Sequence, residues 1–471
     1  MTGVFYIGAA LVLILITVVG IRSGKNVKSA GDFATGGKKA GAGIVAGSII
    51  GTLVGGASTI GTAPVSFTDG LSAWWFTLGG GIGCLILACF FTRPLYESGI
   101  QTLPQIFSRE YGQRSSTAAT LLTSLGSFLS IVSQILSGIA LVTSVSRISA
   151  FAATVITIVL MLVYVVFGGV WGAGFVGIAK TILLYSSIGL CGVIALHLQG
   201  GFSAFRAALP AQQYFNLLAR GAAVDLGAGL SLVLGVLTTQ AYIQAVISAR
   251  TLKLSRTGVL ISAALIPLVG IAGIFVGMYM KLNYPDISPA SALPLFIMEK
   301  IPALFAGMIL ATLLVALVGT GAGIALGLSS MICNDIYKVY INKNPDDKKM
   351  LTATRLVIVA ILVGAALFTM GNMGSLILGW SFMSMGLRGA VAFGPLCTAL
   401  FLPGRIPSRY AFTAMIVGPI LVLVGKLWLP PIMDPLFLGV GGSLLVLRVG
   451  LITGRHTTNH NAHSETGKET I

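Results

Sequence analysis

The chain has 471 residues, 55% of them hydrophobic and only 9% charged, with a formal net charge of +16. Soluble domains carry about 25% charged residues, so the composition excludes a secreted domain, a soluble enzyme and a disordered chain. At ~20 apolar residues per bilayer crossing it provides for roughly thirteen crossings.

Stretches free of Asp, Glu, Lys and Arg mark the spans in chain order: 1–21, 40–68, 70–92, 115–146, 148–179, 181–205, 226–249, 257–280, 301–334 and 356–387, with shorter ones after Arg409 and Asp434. They predict an all-α polytopic membrane protein of about thirteen transmembrane helices, since a barrel would need alternating segments of ~10 residues. Residues 1–455 read as one transmembrane domain and 456–471 as a polar cytoplasmic tail. No basic residue precedes the first span, whereas Arg22, Lys25, Lys28, Lys38 and Lys39 follow it. That order argues against a cleaved signal peptide and places the amino terminus outside. Thirteen crossings then put the carboxyl terminus inside. On this topology 21 of the 29 basic residues are cytoplasmic and six are outside. The positive charge therefore reads as topology in a multi-pass cytoplasmic-membrane protein, whose partner is the lipid bilayer and not nucleic acid. The sequence fixes no oligomeric state.

Cys84, Cys89, Cys191, Cys333 and Cys397 all fall in apolar spans without a Cys-x-x-Cys pair, which suits core-filling thiols better than disulfides or zinc. His456, His460 and His463 cluster in the tail, where a solvated end is expected. No Ser-His-Asp set and no metal-ligand spacing lies within the spans, so no catalytic residue and no cofactor beyond a coupling ion is expected.

Glycine clustering marks where helices break. Gly47, Gly51, Gly55, Gly56 and Gly61 thread the second span, with Thr52, Ser58 and Thr59 between them and Pro64 beyond. Such a segment either unwinds and exposes carbonyls to an ion or solute, or packs closely through its small residues; spacing leaves both readings open. The ninth span repeats the theme with Gly319, Thr320, Gly321, Gly323 and Gly327. The seventh carries Thr238, Thr239, Gln240 and Gln244, and the fourth Gln134; amides in a membrane face protein or a water cavity, as interhelical bonds or as solute contacts.

Motifs in matching order complete the picture: Asp32-Phe33 with Gly36-Gly37, Thr102-Leu103-Pro104 with Arg109-Glu110-Tyr111-Gly112, Gly168-Gly169, Gln240-x-x-x-Gln244, Asp335-Ile336-Tyr337-Lys338 with Arg355, and Phe393-Gly394-Pro395. Together they resemble the sodium/solute symporter family over roughly residues 1–455. The resemblance implies a leucine-transporter-type fold: a 5+5 inverted repeat of helices 2–6 and 7–11, with one extra amino-terminal and two extra carboxyl-terminal helices. It implies a sodium site between helix 2 carbonyls and helix 9, which falls on Gly51, Val54, Ala316 and Thr320. Here the chain departs from the pattern. Gly319 stands where the family has a hydroxyl, Gly177 where helix 6 has an acid, and Lys180 one turn later. Lys180 thus joins the cation-site residues, as an ammonium that would repel sodium. Sodium is the coupling ion by resemblance, and proton coupling or sodium independence is what these three residues suggest.

The 13 acidic residues all map to loops, helix ends or the tail, which leaves Lys180 and Arg388 as the interior charges. Each is either functional or structural: Lys180 by snorkelling to the interface, Arg388 by bonding to carbonyls. A small, anionic solute follows, with Thr52, Ser58, Gln134, Gln240 and Arg388 as its expected contacts. The function implied is secondary active transport by alternating access; the alternative is a non-transporting solute sensor on the same fold. A cysteine placed at Thr2 should react with an impermeant reagent from outside, and one at Ser464 only from inside; the reverse accessibility would overturn the topology.

Overall fold

The computed structural model describes residues 3–24, 38–146, 148–372, 375–430 and 433–465; side chains of 20, 21, 23, 24, 165–175 and 454–465 lie outside the description. Asp32-Phe33 and Gly36-Gly37 therefore lie outside the described residues. The main helices are α1 (Gly3–Gly24), α2 (Ala42–Leu53), α3 (Thr62–Asp69), α4 (Trp75–Ile86), α5 (Gln113–Ser146), α6 (Ala150–Gln199), α7 (Ala222–Thr238), α8 (Gln240–Ile247), α9 (Leu252–Asn283), α10 (Ala303–Ile332), α11 (Asp347–Met370), α12 (Ile377–Phe401), α13 (Ser408–Trp428) and α14 (Pro435–Glu465). No strand forms among the described residues, as a lipid environment requires of a non-barrel protein.

Helix starts follow local chemistry. The hydroxyls of Ser149 and Thr251 accept from Ala152 N–H and Leu254 N–H, and the Asp346 carboxylate accepts from Lys349 N–H. Each satisfies a donor that a helix leaves orphaned at its first turn. Nine helices among the described residues are long and apolar enough to cross a membrane, ten when the bent pair α7–α8 counts as one. Shorter apolar helices occupy 3–19, 42–53 and 150–164, so the protein is multi-pass, while length and apolarity alone do not reach the expected thirteen. The expected fifth and sixth spans lie together in α6, and α14 carries the tail backbone on as helix to Glu465.

Two of the helices break, one near the start of each half of the fold. After α2, Val54 turns to an extended conformation (φ −86°, ψ 94°), and helix resumes only at Thr62. Between α7 and α8 the axis bends by 48° at Thr239, also extended (φ −88°, ψ 119°). A backbone bridge joins the two units: Ala40 N–H donates to Ser248 O at 3.0 Å and Arg250 N–H to Ala40 O at 2.9 Å. α2 packs against α6, α9 and α10, and α10 also against α1 and α5. Gly177 brings α6 onto α2: a Cβ there would sit 2.2 Å from Gly47 O. Outward faces are apolar, for instance Leu356, Val359, Val363 and Leu367 of α11, as lipid contact requires.

Candidate cation and solute site

The α2 break redirects specific backbone groups. In an unbroken helix Gly55 N–H would donate to Gly51 O; here it donates to Ser58 Oγ at 2.9 Å, which frees the Gly51 carbonyl. Ser58 Oγ donates back to Gly55 O at 3.0 Å, and Thr59 Oγ1 donates to the same oxygen at 2.8 Å. The next N–H, of Gly56, donates to Gln134 Oε1 of α5 at 2.8 Å. The unwound turn is thus closed by side chains from within it and by one buried amide.

The freed carbonyl faces α6 and α10. Lys180 Nζ donates to Gly51 O at 2.5 Å, to Ala316 O at 2.6 Å and to Thr320 Oγ1 at 2.9 Å. Thr320 Oγ1 has Gly51 O at 3.2 Å and Val54 O at 3.3 Å as acceptors for its own proton. Lys180 is only 1% exposed, and no carboxylate among the described residues forms an ion pair with it. Its side chain does not snorkel. The structure therefore brings together all five residues read from the sequence as a cation site, Gly51, Val54, Ala316, Thr320 and Lys180. Gly319 adjoins them: a Cβ there would lie 3.2 Å from Tyr164 Oη and 3.7 Å from Lys180 Cδ.

Three of the oxygens that the resemblance assigns to a sodium site, those of Gly51, Ala316 and Thr320, already accept from Nζ, and two unit charges ~4 Å apart repel by about 4 kcal/mol at an effective dielectric of ~20. That is roughly a thousandfold in affinity.

The residues read as solute contacts separate into four places, the last of them Arg388 in α12. Ser58 and Gln134 build the α2 break. Thr52 lies at the crossing with α10, where a Cβ on Gly323 would be 2.9 Å from Thr52 Oγ1. Gln240 lies elsewhere: Leu103 N–H donates to its Oε1 at 2.7 Å, and its Nε2 donates to Gln101 O at 2.9 Å. Beside it Thr102 Oγ1 donates to Asp335 Oδ1 at 2.9 Å. The Thr102-Leu103, Gln240 and Asp335 motifs thus meet as one clamp between the loop after the third span, the second broken helix and the end of the ninth. Sequence reading missed this clamp, although the motif residues themselves were its signal. Asp225 and Asp335, which the sequence places at helix ends, are nevertheless buried, the first against Arg220 at 2.6 Å. Near the clamp, burial pushes the Tyr111 phenol above its ordinary pKa.

Arg388 is 1% exposed in α12. Its Nε donates to Ser384 O at 3.2 Å and its Nη2 to Ser384 Oγ at 3.1 Å and Met385 Sδ at 3.0 Å. Its Nη1 has no partner, and neither does the buried Tyr242 hydroxyl.

An all-helical membrane fold with two broken helices, one crossing an intact helix at a cluster of oxygens, is the leucine-transporter type of architecture. The profile of the sodium:solute symporter family matches residues 33–418. The chain belongs to that family. It is 26% identical over 231 residues to the sodium/sialic acid symporter NanT of Aliivibrio fischeri, covering 46% of this chain and 44% of that protein. It is 32% identical over 122 residues to the sodium/proline symporter of Escherichia coli, covering 26% and 24%. These matched stretches span less than half of either relative. A solved structure of a Na+-coupled sialic acid symporter, in a substrate-bound outward-open state, superposes with a TM-score of 0.82 at 20% identity, covering 96% of this chain and 98% of that one. At that identity the likeness establishes the fold.

The Gln134–Gly56 bond supports a direct test of the break. Gln134→Ala leaves a buried N–H without an acceptor, a cost of about 1–3 kcal/mol. The purified variant should melt several degrees lower, and Gln134→Glu, which keeps an acceptor, should recover part of the loss. Equal melting of Gln134→Ala and wild type would remove this bond from the account.

Proposed function

We propose that the protein is a secondary active symporter that moves a small organic solute across the cytoplasmic membrane by alternating access, with a cation gradient as the driving force. The observation that carries this reading is the α2–α10 crossing, where carbonyl and hydroxyl oxygens of a broken helix and an intact one converge on a single positive charge. Broken helices at midplane are the means by which such carriers expose backbone oxygens to ions and solutes. Family membership supports the same reading and supplies sodium as a coupling cation to weigh, while Gly177, Gly319 and Lys180 make the proton the alternative. The named relatives carry sialic acid and proline, solutes with a carboxylate, with sodium.

The solute class follows from charge. Arg388 is buried without a carboxylate partner, and its Nη1 is idle. An anionic solute would supply the missing partner, because a guanidinium presents paired N–H donors in the geometry a carboxylate accepts. Thr52, Ser58 and Gln134 line the path at the first break, and Gln240 acts through the clamp. The basic-residue asymmetry of the loops supports an amino terminus outside and a carboxyl terminus inside, with 1–455 as the transport unit.

A thermal-shift screen of carboxylates, amino acids, sugars and ureides selects the solute, which is then supplied outside proteoliposomes that carry combined inward sodium and proton gradients. Accumulation above the equilibrium level, abolished by gramicidin, is the expected result. Saturable binding without any flux would favour the sensor reading instead.

With an anionic solute, Arg388→Gln should raise the KM for uptake by at least about tenfold, since truncating one partner of a buried hydrogen-bonded charge pair costs ~2–5 kcal/mol. An unchanged KM and rate in that variant would make Arg388 a structural residue.

A further inference from the structure

We infer that the ammonium of Lys180 is a covalently tethered replacement for the sodium ion at the α2–α10 crossing, so that the transport cycle runs without sodium at this position. The inference deepens the symporter reading, on which it rests, by fixing which ion this site excludes.

Valence is the first argument. A lysine ammonium has three N–H donors and no acceptor. All three are matched, by Gly51 O, Ala316 O and Thr320 Oγ1, at 2.5, 2.6 and 2.9 Å. The Thr320 hydroxyl, having accepted from Nζ, keeps its proton for Gly51 O or Val54 O. No donor of the ammonium is left idle, and three of the oxygens that a cation would use are taken. A built-in cation of this kind satisfies the freed carbonyl of the α2 break permanently, where an ion would do so only while bound.

Space is the second argument. An acid at position 177 has no room, because even a Cβ there meets Gly47 O at 2.2 Å. The same close contact sets Lys180, one helical turn further along α6, opposite Gly51, one turn further along α2. A hydroxyl-bearing residue at 319 would press on Tyr164 Oη at 3.2 Å and approach the Lys180 stem at 3.7 Å. Of the two positions where sodium-binding chemistry is missing, Gly177 lets α6 close onto α2 and Gly319 leaves room for Tyr164 beside the lysine stem. Absence of the acid and of the hydroxyl, and presence of the ammonium, are one arrangement.

The test separates ion binding from transport. Purified protein is melted in increasing NaCl against choline chloride at constant ionic strength. A bound ion at about 100 times its Kd raises the melting temperature by several degrees. Wild type should show no saturable difference between the two salts. Lys180→Ala/Gly319→Ser, which opens the carbonyls and restores a second hydroxyl, should gain one. Uptake in proteoliposomes should stay within about twofold when choline replaces sodium. Saturable stabilisation of wild type by sodium, lost in Thr320→Ala, would overturn the inference, and so would uptake that strictly requires sodium and is unaltered in Lys180→Ala. If no medium supports uptake, the symporter reading fails, while the melting series on wild type and Thr320→Ala still decides whether sodium binds.

Discussion

A carbonyl released from its helix inside a membrane has no water to turn to, and each such group left bare costs several kcal/mol. The α2 break creates this demand at Gly51, because Gly55 N–H donates to Ser58 Oγ and abandons the helical ladder. Lys180 answers it. The ammonium, in turn, carries a desolvation cost of several kcal/mol once buried, unless acceptors surround it. Three oxygens do so. Neither feature is tolerable alone, and each removes the other's penalty. This mutual dependence fixes the relative placement of α2, α6 and α10, the three elements that contribute an atom to the crossing.

Constraints spread from the crossing in both directions. Toward one end of α2 the chain is clipped to the residues just beyond α8 by the Ala40 and Ala249 bridge, so the two broken units share a backbone connection. At the start of α8 the Gln240 amide holds the loop at Gln101–Leu103, and Thr102 holds Asp335 at the end of the α10 helical run. Toward the other end, Gln134 caps the unwound turn from α5, a helix that also packs on α10 and α12. A movement of α2 relative to α10 must therefore involve the second broken unit through hydrogen bonds, and α5 through a single buried amide. The connection consists of discrete hydrogen bonds, each of which a displacement of α2 must keep or break.

How much of this was legible beforehand depends on the kind of signal. Helical spans and the glycine-rich segments were readable from charge-free stretches and local composition, which do not depend on tertiary context. The cluster of Gly51, Val54, Ala316, Thr320 and Lys180 was reachable because counting back from Asp335 sets the register of the ninth span, and a helix preserves register over many turns. What local pattern could not reveal was how the polar atoms pair. Gln134 and Gln240 look alike in sequence, as single amides in apolar spans. Yet one accepts from Gly56 N–H and the other grips a loop from a different part of the chain. Asp335 likewise reads as a solvated helix end until the fold packs Thr102 against it. Composition led to an expected count of thirteen, whereas length and apolarity give nine or ten crossing helices among the described residues, and the expected fifth and sixth spans lie in one continuous helix, α6.

The two buried cations finally separate by hydrogen-bond arithmetic. An ammonium has three donors, and those of Lys180 are all engaged by groups of the protein itself. A guanidinium has five, and Arg388 engages Nε and Nη2 while Nη1 finds nothing. A saturated charge has no bonding capacity left for a diffusible ligand and serves to hold helices together. An unsaturated one, buried beside an equally unpartnered Tyr242 hydroxyl, retains donors whose cost is relieved only when an acceptor arrives. On the reading proposed above, the same membrane interior holds one cation that excludes ions from its oxygens and one that favours an anion, and the division of labour follows from which of them the protein has left incomplete.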